Sequence, residues 1–124
     1  MLIDMHMHEM TFSKDSFLKL DEMVRIAKEK GLDAICITDH DSMGLKDYAA
    51  EYTKMTGFPV FVGIEYFSLQ GDIVAFGIEE YPKERIPAQY FIDLVKEQGG
   101  VCFAAHPFRN NRRGLEAVSY THLR

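Results

Sequence analysis

Residues 34–40 read Ala34-Ile35-Cys36-Ile37-Thr38-Asp39-His40, a short apolar β-type run that ends in an acid and a histidine. Three other segments follow the same plan. Leu2-Ile3 leads into Asp4-Met5-His6-Met7-His8, Val60-Phe61-Val62-Gly63-Ile64 ends in Glu65, and Val101-Cys102-Phe103-Ala104-Ala105 ends in His106. In parallel α/β proteins the carboxyl ends of the strands form one face, and ligands bind there. Strands lying side by side would bring four histidines and one glutamate to a single pocket, so a metal site is the leading reading.

The stretches between these runs read as helices. Leu20, Met23, Val24 and Ala27 recur at i, i+3, i+4, i+7, with Gly31 placed to end the helix. Leu45, Tyr48, Ala49 and Tyr52 mark a second helix closed by Gly57 and Phe58-Pro59. Pro87 fits the first turn of a third, with Phe91, Leu94 and Val95 inward and Gly99-Gly100 at its end. The third strand runs through 60–65 into 66–69, and Gln70-Gly71-Asp72 turns the chain into Ile73–Ile78, an antiparallel hairpin. Residues 101–105 then read as the fourth parallel strand. The order β-α-β-α-β-(β)-α-β implies right-handed crossovers and an α/β fold with a mostly parallel sheet. Such a sheet is normally covered on both faces or closed into a barrel. Residues 109–124 are polar and without strong periodicity, so the chain reads as the first half of something larger.

Composition narrows the function classes. The chain has 124 residues, enough for one small domain, with 47% hydrophobic and 27% charged residues. Its net charge of −5 gives no global attraction to nucleic acid or anionic lipid, and the basic cluster Arg109, Arg112, Arg113 is local. No apolar run approaches the ~20 residues of a membrane helix. The first fifteen residues lack the pattern of a signal peptide. A cytoplasmic protein with no membrane partner is expected, with Cys36 and Cys102 as buried reduced thiols within strands.

The chemistry rests on few side chains. On an ideal strand His6 and His8, two apart, point to one side and can grip one ion. Asp39 and Asp41 flank His40, and a neighbouring carboxylate either shares a metal or orients the imidazole. Asp41 or Ser42 is the expected cap of the helix that begins near Gly44. Glu65 follows five apolar residues, a costly depth for a carboxylate unless it is paired or on a metal. A buried basic partner is a poor explanation, because no strand segment carries one. Pro107 is expected to hold His106 extended, and Arg109 offers a planar fork suited to phosphate.

The combination His6-x-His8, Ser13-x-Asp15-Ser16, Gly31-Leu32-Asp33, Thr38-Asp39-His40-Asp41, Gly63-Ile64-Glu65 and Ala105-His106-Pro107 resembles the PHP (polymerase and histidinol phosphatase) domain, over roughly residues 1–113. The resemblance implies a distorted (β/α)7 barrel, of which this chain would be the amino-terminal part. It also implies phosphoester hydrolysis with up to three divalent ions, commonly zinc, manganese or iron. Carried over, His6 and His8 would hold one ion, Glu65 would bridge it to a second bound by His106, and Asp15 and His40 would hold the third. A further His and a D-x-H that complete the family's site are not found in the sequence. His122 has neither the spacing nor a preceding strand and is read as no ligand. Residues 114–124 depart from the family pattern and resemble translated cloning sequence, as if the frame were truncated.

The implied activity is hydrolysis of a phosphomonoester or phosphodiester, a small phosphorylated compound or nucleotide, by in-line attack of a hydroxide held between the ions. Arg109 would clamp the phosphate, and Asp39 would orient a ligand or take a proton. Two other classes compete. One is a non-catalytic PHP module of a DNA polymerase-type protein, the case in which nucleic acid would be a partner. The other is an amidohydrolase-type metal hydrolase, which also opens with H-x-H but lacks T-D-H on its second strand.

Overall fold

A computed structural model describes residues 1–115. The chain divides into two compact units, one spanning Met1–Gly63 and a second beginning at Ile64.

The first unit is a three-stranded parallel sheet in the order β1-β2-β3, built from β1 (Ile3–Met7), β2 (Ala34–Ile37) and β3 (Val60–Val62). All four residues of β2 are buried, as its unbroken apolar run requires of a central strand. Helix α1 (Leu20–Glu29) makes the first crossover, and the four residues of its apolar stripe, Leu20, Met23, Val24 and Ala27, are the ones it buries. They share one core with Ile35, Ile37, Phe58 and Val60. Each of these side chains larger than alanine contributes about 1.5–3 kcal/mol on removal from water. Gly31, at φ +75°, supplies the left-handed residue after the helix.

Helix α2 (Lys46–Thr56) makes the second crossover and ends on Gly57 at φ +73°. It is anchored more lightly than its pattern predicts. Ala49 is its one buried residue, with Leu45 buried just before it, while Tyr48 stays 55% exposed. The expected cap by Asp41 or Ser42 does not form. The Ser42 hydroxyl accepts the Gly44 N–H, and the residue at the N-cap of α2 is Leu45, with no side-chain cap bond.

The third predicted strand is two strands. β3 stops at Val62, Gly63 donates its N–H to the Ile37 carbonyl, and β4 (Ile64–Phe67) belongs to the second unit. There β4, β5 (Asp72–Phe76) and β6 (Val101–Ala104) form an antiparallel sheet in that order. The hairpin 64–76 forms as expected, but β6 is not a parallel strand. It pairs antiparallel with β5, from Phe76↔Val101 to Ile73↔Ala104. The returning hairpin strand, with Ile73, Val74 and Ala75 fully buried, takes the place beside β4 that a parallel β6 would have filled.

Helix α3 (Ala88–Glu97) starts directly after Pro87 and buries Ala88, Phe91, Ile92 and Val95. The Phe91 ring stacks on Tyr66 of β4 at 4.0 Å between centroids. Ile92 rather than Leu94 completes the buried stripe. Gly71, at φ +140°, closes the hairpin turn, where a β-carbon would lie 2.7 Å from the Leu115 nitrogen. Neither sheet closes on itself in the described residues. No described helix is long and apolar enough to cross a membrane.

Candidate metal centre

In the first unit the donors gather where β1 and β2 end. The β1–β2 register slips between Asp4 and Met7, putting one extra residue in β1. This bulge falls on the H-x-H itself and re-aims its side chains. Even so, a ring nitrogen of His6 and one of His8 lie within 4.8 Å of each other. His6 Nδ1 also lies 2.9 Å from the Thr38 hydroxyl. The His8 ring meets His6 edge-on, 5.0 Å between centroids, and stacks on His40 at 4.4 Å. His40 Nε2 lies 2.8 Å from Asp15 Oδ2. One donor atom each from His8, Asp15 and His40 falls within 4.8 Å of the others. Donors on ~2.1 Å bonds to one ion cannot be more than ~4.2 Å apart, so small side-chain adjustments close this set. Two imidazoles and a carboxylate are a donor set that suits zinc, iron or manganese.

Around these donors lies a buried polar web. Asp39 is 2% exposed and accepts the Glu9 N–H at 2.6 Å and the Ser13 hydroxyl at 3.0 Å. Ser13 Oγ in turn accepts the His40 N–H at 3.0 Å and lies 3.5 Å from His8 Nδ1. Asp39 thus touches the backbone and hydroxyl that hold the donors in place. Burial pushes its carboxyl above the usual range, against the lowering effect of the Glu9 and Ser13 bonds. Asp15 moves the other way. Burial would raise it, but the hydrogen bond with His40 and the nearby His40 and His8 rings outweigh that and hold it low. It is therefore a carboxylate, ready to bind a cation, throughout the neutral range. Ser13 carries no role in the motif reading, and Glu9, 2% exposed, reads from sequence as an ordinary loop residue.

The second unit holds another cluster. Glu65 is fully buried in β4, and His106 Nε2 lies 3.1 Å from its Oε1. The same nitrogen is 3.7 Å from Oδ2 of Asp72, the first residue of β5 and also fully buried. Donor atoms of Glu65, Asp72 and His106 lie within 4.8 Å of one another. The sequence reads Asp72 as a turn residue. Its chemistry shows in the structure, where the Arg113 guanidinium meets both of its oxygens at 3.1 Å. A basic partner for a buried carboxylate does exist, supplied by the loop after β6 rather than by a strand.

His106 is not extended despite the following proline. Its φ is +32°, because its carbonyl accepts the Arg109 N–H across a tight turn while its ring is held against Glu65 and Asp72. Arg109 itself lies exposed. Cys36 and Cys102 are buried, free thiols, as expected. His122 lies outside the described residues.

A family model described as "PHP domain" matches residues 4–116. The chain belongs to the PHP domain family. This PHP domain is similar to an uncharacterized protein of Methanocaldococcus jannaschii, 27% identical over 117 residues that cover 87% of this chain and 68% of the relative. Membership places it among metal-dependent, phosphoesterase-type hydrolases, and the His/Asp/Glu clusters of both units agree with metal dependence.

Proposed function

We propose that this PHP domain hydrolyses small phosphate esters, monoesters or diesters, with divalent cations held by His8, Asp15 and His40 in the first unit and by Glu65 and His106 in the second. The reading is carried by the convergence of the His8, Asp15 and His40 donor atoms within 4.8 Å. His6 supports the cluster from beside His8. A bound zinc, manganese or iron ion would polarise a phosphoryl oxygen and acidify water. Asp39 acts as a positioning residue: through Ser13 and the Glu9 amide it fixes the loop that presents His8 and the backbone that presents His40. Arg109, exposed after the His106 turn, is the group we assign to the phosphate. The parallel β1-β2-β3 sheet would be the opening of a distorted barrel.

The test is a hydrolysis assay on p-nitrophenyl phosphate and its bis-ester with zinc, manganese or iron(II) added to metal-stripped protein. Metal-dependent turnover that falls by about 10–100-fold or more in His40→Ala is expected, since losing even a group that only orients a metal ligand typically costs that much. Metal binding with no turnover of either ester would overturn the reading and leave a metal-binding module.

A further inference from the structure

Within the first unit, a cavity of about 410 Å³ opens between the loop after β1 and the start of α2. Its walls are apolar: Met10 and Phe12 from the loop, Leu45 and Tyr48 from the helix side. Met10, Phe12 and Tyr48 keep 41%, 41% and 55% of their surface exposed, an unusual concentration of large apolar groups around one depression. Gly44 shapes it. A β-carbon there would lie 2.5 Å from the edge of the Phe12 ring, so only glycine lets that ring lie flat on the backbone.

The cavity is preformed and adjoins the donor cluster. Its loop is tied at both ends, by Met10 N–H to the Leu18 carbonyl and Ser13 N–H to the Glu9 carbonyl. The Thr11 N–H donates to the Glu9 carboxylate at 2.7 Å. Glu9 lines the cavity and directly follows His8, and neighbouring α-carbons are about 3.8 Å apart. One loop therefore presents the donor His8 at one end, Ser13 of the surrounding polar web at the other, and cavity walls at its middle.

We propose that this cavity binds the uncharged aromatic ring of the substrate's alcohol portion, making the enzyme selective for aryl or arylalkyl phosphates. The proposal rests on the phosphoesterase reading for the phosphate and on the cavity alone for the ring. Three of the four walls are side chains that favour flat apolar partners, two aromatic rings and a thioether. Among the charged lining residues Lys19 opposes Asp21, and the Glu9 carboxylate accepts the Thr11 N–H, so the apolar walls rather than a paired counter-charge set the preference.

The test uses benzyl alcohol, benzylphosphonate and ethylphosphonate with the zinc-loaded chain. Benzyl alcohol should shift the Phe12 and Tyr48 ring resonances in NMR spectra. Benzylphosphonate should bind about tenfold or more tightly than ethylphosphonate, as burying a ring-sized apolar surface implies. Gly44→Ala, which pushes the Phe12 ring outward, and Tyr48→Ala should each cut that preference to about threefold or less. Both sites are at the surface edge of the fold, and circular dichroism verifies that the variants fold. No response of the cavity resonances to benzyl alcohol, or a preference that survives both substitutions, would overturn the proposal. Cavity resonances that respond while neither phosphonate binds better than its alcohol would uphold the ring site and sink the phosphoesterase reading alone.

Discussion

Asp39 illustrates how a single side chain can be conspicuous in sequence and yet have its role set elsewhere. Its position after a strand and before His40 is visible in the sequence, but its partners, the Glu9 amide and the Ser13 hydroxyl, lie 30 and 26 residues away. Asp39→Ala would leave both donors buried without an acceptor, and is expected to cost about 1–3 kcal/mol in urea unfolding. An unchanged midpoint would show that water replaces the carboxylate. Asp39→Asn should lose less, because its amide oxygen still accepts the Glu9 N–H. The donors His8, His40 and His106 were legible because their residue type carries the chemistry. Asp72 and Arg113 were not, since nothing local announces a pairing 41 residues apart. Cys36 gives a second test. Burial, with Asp4 nearby, pushes its thiol from 9.0 up to about 11. A folded pKa above the unfolded one favours the fold below about pH 9, and that contribution is lost as pH rises toward 11. Stability should thus decline across that window, and Ellman's reagent at pH 8 should label Cys36 only on unfolding. Rapid native labelling would contradict its burial.

Among the elements, α1 was the most readable because its four-residue stripe is also its buried face. The β6 strand was the least. It runs in the same direction as β4, but its hydrogen-bonded neighbour is the intervening antiparallel β5, which nothing in its own composition announces. α2 forms where its spacing predicts a helix, but Tyr48, one of the residues that mark it, lies at the rim of a cavity rather than in the core. The second sheet also depends on a tie outside its strands. Asp72 opens β5, donates its N–H to the Arg113 carbonyl, and holds the Arg113 side chain through both oxygens. Removing the guanidinium leaves a fully buried carboxylate beside Glu65. Arg113→Ala should therefore destabilise the protein by about 1–3 kcal/mol, below the 3–5 kcal/mol of a wholly buried pair because the arginine side chain remains 36% exposed. Arg113→Lys should recover only part, lacking the fork. A neutral Arg113→Ala in thermal unfolding would mean that the pair contributes nothing. The Arg113 guanidinium also lies over the Phe67 ring, its carbon 4.5 Å from the ring centroid, so some loss persists even where Asp72 is neutralised.

At the scale of the whole molecule, the clusters store a penalty that a cation can relieve. Glu65 and Asp72 are both fully buried carboxylates facing one histidine, and the chain carries a net charge of −5. Like charges at that spacing disfavour folding, and a divalent ion bound to the folded state alone reverses the sign of the interaction. The linkage is quantitative: an ion at a hundred times its dissociation constant adds about 2.7 kcal/mol. For a chain of this size that corresponds to a rise in Tm of about 10 °C. Scanning calorimetry of metal-stripped protein, with and without zinc or manganese, should show the rise and its reversal by a chelator. His40→Ala, which removes one of three donors from the first unit's cluster, should lower the gain at that same metal concentration; an affinity weakened about 10–100-fold would remove about 1.3–2.3 kcal/mol of it. A Tm that does not respond to metal in the wild-type chain would show that these donors are satisfied by one another. The His40–Asp15 and His106–Glu65 contacts would then be hydrogen-bonding contacts of the fold rather than the frame of a metal centre.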